Sequence, residues 1–119
     1  MIDNERLSEN EREWLATMLS VDFKEKERLI QQINAANIVR EYTRYFISIK
    51  FIIPANISAI KMTERVPIEM RVYEENNAPL QFLLHIIHGY VSELEIFKAD
   101  SSEIKGNIKL EHIEVILTE

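Results

Sequence analysis

Up to about residue 36 the apolar side chains of this sequence recur three or four positions apart; from Ile38 onward they recur at every second position. The first spacing is that of one face of a helix, the second that of one face of a strand. In the helical third, Trp14, Leu15, Met18 and Leu19 form a stripe that is ordinary core packing for an amphipathic helix. Ser8 followed by Glu11 is a capping box, the hydroxyl accepting from the Glu11 amide while the carboxylate reaches back to Ser8. This predicts a first helix over about residues 9–20. A second is predicted over about 23–36, with Asp22 as its cap, Phe23, Leu29, Ile30 and Ile33 as its apolar side and Asn37 as a left-handed stop.

The remainder, 38–117, reads as strands. Ile38–Tyr42 and Tyr45–Ile53 are joined by a tight turn at Thr43-Arg44; Tyr45, Ile47, Ile49, Phe51 and Ile53 face one way and Phe46, Ser48, Lys50 and Ile52 the other. Pro54 ends the second strand, since proline has no amide to give a ladder. Ala55–Glu64 mixes polar and apolar residues and is expected to be a loop over an edge of the sheet. Val66–Glu74 alternates cleanly, Glu75–Ala78 turns the chain, Ala99–Ser102 turns it again, and Ile113–Leu117 supplies a last short strand.

The stretch from Pro79 to Lys98 is the organising element, read as a hairpin bending at His88-Gly89. Leu80, Leu83, Leu84, Ile87, Val91 and Leu94 also fit helical spacing, but Gly89 in the middle and the supply of Ile, Phe, Tyr and Val favour strands. With a three-residue loop Ile87-His88-Gly89, Ile86 pairs with Tyr90. Leu80, Phe82, Leu84 and Ile86 then share a face with Tyr90, Ser92, Leu94 and Ile96. The opposite face gathers Gln81, Leu83, His85 and Ile87 with Val91, Glu93, Glu95 and Phe97. A two-residue turn would mix Glu93 and Glu95 with Leu84 and Phe82, so the three-residue loop is preferred.

These elements predict an α+β fold: an N-terminal helical hairpin packed on one face of a mostly antiparallel sheet of about 5–6 strands. The 119 residues form a single domain, 46% apolar and 29% charged, a globular balance. Without cysteine there are no disulfides and no thiolate metal sites. Met1–Arg6 lacks the features of an export signal and no segment is long enough to span a membrane, so a cytoplasmic chain with no membrane partner is expected. The net charge of −6 divides unevenly: residues 1–36 carry eight acidic and five basic side chains (−3), 37–72 three and six (+3), 73–119 nine and three (−6). An acidic half argues against nucleic acid, whose phosphates need Lys and Arg, and suits a basic protein partner or simply a solvated surface.

Several runs, Arg6–Glu13 with Leu15 and Leu19, Asp22-Phe23, Leu29–Gln32, Val66–Glu69 and above all Leu84-His85 with Gly89–Ile96, resemble a small uncharacterised bacterial family, a domain of unknown function. Its members often carry Asp-Gly after the hairpin, where this chain has Asp100-Ser101. The resemblance implies one domain with strands in these places and brings no established activity. Small domains of this kind are sometimes encoded beside bacterial toxins, from which an immunity or inhibitor role is an expectation by association.

For chemistry, the cluster to inspect is His85, Glu93 and Glu95, with Gln81 beside them. Leu83 is expected opposite Glu93, Gln81 opposite Glu95 and His85 diagonal to Glu93. A histidine beside a carboxylate suits a general base, and the three together suit a divalent metal, but no second histidine at metal spacing, phosphate loop or nucleophile motif accompanies them. A cross-strand polar pair is the simpler reading, so no catalytic residue, metal or cofactor is assigned. The leading expectation is a non-catalytic interaction domain using Gln81, His85, Glu93 and Glu95 against a basic protein. The alternative is a small ligand-binding or hydrolase-like domain with a pocket between helices and sheet near His85 and Glu93. Self-association through Leu83, Ile87, Val91 and Phe97 on the outer sheet face is a third.

Overall fold

The computed structural model describes residues 6–62 and 64–118, so most of the run read for an export signal lies outside the described residues. Two helices, α1 (Glu9–Met18) and α2 (Lys26–Ala35), precede six strands: β1 (Asn37–Tyr42), β2 (Phe46–Ile52), β3 (Ile68–Val72), β4 (Leu80–Ile87), β5 (Tyr90–Lys98) and β6 (Ile113–Leu117). The strands form one sheet in the order β1-β2-β5-β4-β3-β6, every neighbouring pair antiparallel. α1 lies against β3 and α2 against β5, both on the same face. Met18, Leu29, Ile49, Ile68, Met70, Phe82, Leu84, Leu94 and Ile96 are fully buried between the layers. Trp14 meets Phe82 edge to face with ring centroids 5.9 Å apart, the arrangement that ring quadrupoles favour. No described helix is long and apolar enough to cross a membrane.

The capping box at Ser8 forms as predicted: Ser8 N donates to Glu11 Oε1 at 2.8 Å and Glu11 N to Ser8 Oγ at 3.2 Å. α2 starts three residues later than predicted, because Asp22 does not cap it. Phe23 instead packs against the core, its carbonyl accepts from Lys26 N at 3.3 Å, and exposed Asp22 pairs with Lys26 at 3.6 Å. Nor is Asn37 a helix stop; Ala36 is already extended and Asn37 opens β1, so α2 runs into the sheet without a loop. Tyr45, predicted to open the second strand, lies just before β2 and is half exposed at the β1–β2 turn, where Thr43 Oγ1 accepts from the Tyr45 and Phe46 amides.

The central hairpin is present, but its register is corrected. The loop has two residues: Ile87 pairs with Tyr90, and His88 (φ 52°) and Gly89 (φ 83°) both take the left-handed conformation, as in a type I′ turn. The mixing expected from such a turn is avoided by a bulge. Ile86 pairs with Val91 but His85 pairs with Glu93, so Ser92 is the extra residue on β5. Beyond it Leu84 meets Leu94 and Phe82 meets Ile96 on the core face, while Leu83 meets Glu95 and Gln81 meets Phe97 on the other. Val91, and not Tyr90, is the buried residue beside the turn.

The bulge frees backbone groups that must find partners in the interior. Val91 N donates to Gln32 Oε1 at 2.8 Å, and Gln32 Nε2 donates to the carbonyls of Gly89 (2.9 Å) and Ser58 (3.0 Å). Ile86 N donates to Arg65 O and Ile60 N to Gly89 O, both at 2.8 Å. The described residues between β2 and β3 thus cover the tip of the central hairpin through Ser58, Ile60 and Arg65, with Ile60 buried, and not an outer edge of the sheet.

Candidate functional site

The sheet has one face under the helices and one open face. Alternation along the registered strands puts Val39 and Glu41 of β1 on the open face with Phe46, Ser48, Lys50 and Ile52 of β2. Glu93, Glu95 and Phe97 of β5 and Gln81, Leu83 and His85 of β4 follow, then Glu69 and Arg71 of β3 and Glu114 of β6. All four residues singled out from sequence, Gln81, His85, Glu93 and Glu95, therefore share this face. Their pairing differs from expectation because of the bulge: His85 stands directly opposite Glu93, and Gln81 opposite Phe97.

His85 is mostly buried, its side chain 14% exposed, and its Nε2 lies 2.9 Å from Glu95 Oε1. An ionised carboxylate only accepts, so this bond places a ring hydrogen on Nε2. Nδ1 is buried without a hydrogen-bond partner. One ring nitrogen is thus engaged and the other sealed from solvent, which is poor geometry for taking a proton from a substrate over the open face. Glu93 is committed elsewhere: its Oε2 accepts from Ser48 Oγ at 2.6 Å, with Lys50 as its neighbour across the β2–β5 pair. The two carboxylates therefore serve different partners, and among the described residues no group of three His, Asp or Glu side chains is placed to hold a metal ion.

His85 lies on the face turned away from the helices, so it does not line the space between helices and sheet. A groove of about 340 Å³ opens beside the hairpin tip, lined by Phe51, Ile53, Pro54, Ile87, Tyr90 and Val91 among others. Tyr90 OH points from it to the Ile57 carbonyl at 3.2 Å. Such a lining can hold apolar matter and contains no carboxylate, histidine or cationic side chain.

Two polar residues are fully buried: Gln32, which sequence reading did not single out, and Glu11, which it read only as a helix cap. Gln32 holds the bulge; a glutamine on the same helical face as Leu29 and Ile33 is the signal that could have marked it. Glu11 holds β1. Beyond its cap, it accepts from Arg40 Nε (2.8 Å) and Nη2 (2.7 Å) and from Tyr42 OH (2.8 Å). Burial pushes its carboxyl up, but the Arg40 bonds, the Ser8 amide, the Tyr42 hydroxyl and the guanidinium charge together hold it below the ordinary range. Burial, then the hydrogen bond to Glu11 and its charge, push the Tyr42 phenol well up. This cluster fastens α1 to the edge strand and is structural.

What the geometry leaves for function is the open face. Arg71 pairs with Glu114 at 3.7 Å, so Lys50 alone of the basic residues named there stands against Glu41, Glu69, Glu93 and Glu95. Neither the curated proteins nor the solved structures contain a match to this chain. A family model does match residues 4–108, from the approach to α1 through the turn after β5, and the chain accordingly belongs to the family described as Domain of unknown function (DUF6984).

Proposed function

We propose that this protein is a non-catalytic interaction domain whose open sheet face receives a basic protein partner, in the manner of an immunity or inhibitor protein. The observation that carries the reading is the surplus of carboxylates on the sheet face turned away from the helices, with Glu41, Glu69, Glu93 and Glu95 around the mostly buried His85. Such a field raises the encounter rate with a positive surface and repels acidic competitors. Apolar Phe46, Leu83 and Phe97 between the charges supply area to desolvate. The alternative, a ligand-binding or hydrolase-like site at His85 and Glu93, is weakened by the engagement of Nε2 and the sealing of Nδ1.

Affinity capture of a partner at low salt, followed by titration of the purified partner, tests the proposal. Affinity is expected to fall with ionic strength, and Glu93→Lys combined with Glu95→Lys is expected to weaken binding by at least about tenfold while the fold is kept. A partner whose affinity ignores both salt and the double substitution would overturn the assignment of this face.

A further inference from the structure

Between α1 and α2 lies a trough that none of the contacts described above fills. Trp14 and Met18 are the α1 residues buried toward the sheet, Trp14 against Phe82. Beside that stripe Arg12, Leu15, Ala16 and Leu19 recur at i, i+3, i+4 and i+7, and Ile30, Ile33 and Asn34 answer them from α2 at i, i+3 and i+4. The trough has a volume of about 370 Å³ and is lined by Leu7, Leu15, Ala16, Leu19, Ile30 and Ile33, with Arg12 and Asn34. Ala16 is exposed and ends in a methyl group, so α1 leaves the space above it empty. At its Arg12 end the trough adjoins a recess of about 240 Å³ that shares Leu7, Arg12, Ile33 and Asn34 with it and adds Arg6. Neither lining contains a carboxylate among the described residues. Arg6 and Arg12 are exposed, and neither guanidinium has a hydrogen bond or ion pair among the described residues. The Arg6 backbone is tied down, its carbonyl accepting from Arg40 Nη2 at 2.6 Å.

We propose that the trough binds a free medium-chain carboxylic acid, its tail along Leu15, Ala16 and Leu19 and its carboxylate among Arg6, Arg12 and Asn34. Polar and apolar linings are segregated end to end, for Arg6 borders only the recess and Leu19 and Ile30 only the trough. A ligand with a head and a tail satisfies both ends at once. Two guanidinium groups set the charge of the head, since each offers a carboxylate a fork of N–H donors, and the Asn34 amide adds another. A phosphate is served less well. The N-terminus of α1, where one would be held by backbone amides, is already closed by the reciprocal bonds of Ser8 and Glu11. From Arg12 to Leu19 the helix rises about 10 Å, which spans an extended tail of roughly ten carbons. One turn of a partner helix, about 10 Å wide, would alone occupy about 400 Å³, more than the whole trough.

Titration of the isotope-labelled protein with decanoate below its micelle concentration, followed by amide NMR, tests the site. Saturable shifts are expected in α1 and α2, with a Kd of about 0.1–1 mM. Decyltrimethylammonium, the same tail with a cationic head, and butyrate, the same head with little tail, are each expected to bind at least about tenfold more weakly. Ala16→Leu fills the trough with a residue that suits a helix nearly as well as alanine; it is expected to weaken decanoate at least about tenfold with an unchanged circular dichroism spectrum. Arg6→Gln combined with Arg12→Gln, both at exposed positions, is expected to abolish the preference for decanoate over decyltrimethylammonium. Equal binding of the two decyl amphiphiles by the unmodified chain, or undiminished decanoate binding by Ala16→Leu, would overturn the proposal. So would the absence of saturation by decanoate, even where an acidic amphipathic peptide shifts the same amides. The trough lies on the helix side of the sheet, away from Glu93 and Glu95, and none of these outcomes bears on the acidic face.

Discussion

At Gly89 the left-handed backbone and the crowding of the hairpin tip demand the same residue. A Cβ built there would stand 2.6 Å from Ile60 O and 2.9 Å from Ala59 Cβ, at a φ of 83°. Gly89→Ala must therefore push away the segment that covers the hairpin while straining its own backbone. It is expected to cost about 2 kcal/mol, read as a lower denaturant midpoint. Ser101 is the converse case. It takes the left-handed conformation that suits glycine, at φ 65°, closing a turn in which its amide donates to Lys98 O at 2.9 Å. Asp100 Oδ1 accepts from the Ser102 amide and hydroxyl, so the turn keeps its shape with the less suitable residue. Ser101→Gly relieves the conformation and is expected to raise stability by up to about 1 kcal/mol, measured by thermal and urea unfolding.

Among the elements, α1 and β1 are joined by one buried carboxylate. Glu11 caps its own helix and accepts from Arg40 and Tyr42 across 29 and 31 residues of chain. Since its folded-state carboxyl is held below the ordinary value of 4.5, the stability it provides is fully present above that value. It is lost as pH falls below that value and through the lowered folded one, where the unfolded chain binds the proton first. Glu11→Gln removes the carboxylate charge that faces Arg40 and is expected to cost about 3 kcal/mol at neutral pH. It should also flatten the acid limb of a stability-versus-pH curve; an acid limb as steep as that of the unmodified chain would remove Glu11 from the explanation.

For the molecule as a whole, the decisive feature is that helices cover only one side of the sheet. The open side then carries half-buried charges whose partners are mostly side chains of neighbouring strands, as in Ser48 with Glu93 and His85 with Glu95. Contacts of this kind contribute little to stability while setting the surface potential. The Glu93→Lys, Glu95→Lys double variant is accordingly expected to unfold within about 1 kcal/mol of the parent, which makes it a usable probe of binding. A larger loss would mean that the face is part of the scaffold and not a surface free to be used.

The amino-acid pattern by itself determined the helical third, the change to period two near Ile38, the capping box at Ser8, the bend at His88-Gly89 and the side of the sheet on which His85, Glu93 and Glu95 lie. Each follows from local sterics or from the spacing of apolar side chains, which act over a few residues. The length of the hairpin loop did not follow, because a two-residue turn became compatible with the apolar pattern only through a bulge at Ser92. That bulge is held by Gln32, 59 residues before Val91 in the chain. The partners of Glu11, the failure of Asp22 to cap α2 and the cover over Gly89 were likewise decided by the packed structure. Buried polar groups must be satisfied by whatever the fold brings within reach, and distance along the chain does not encode that.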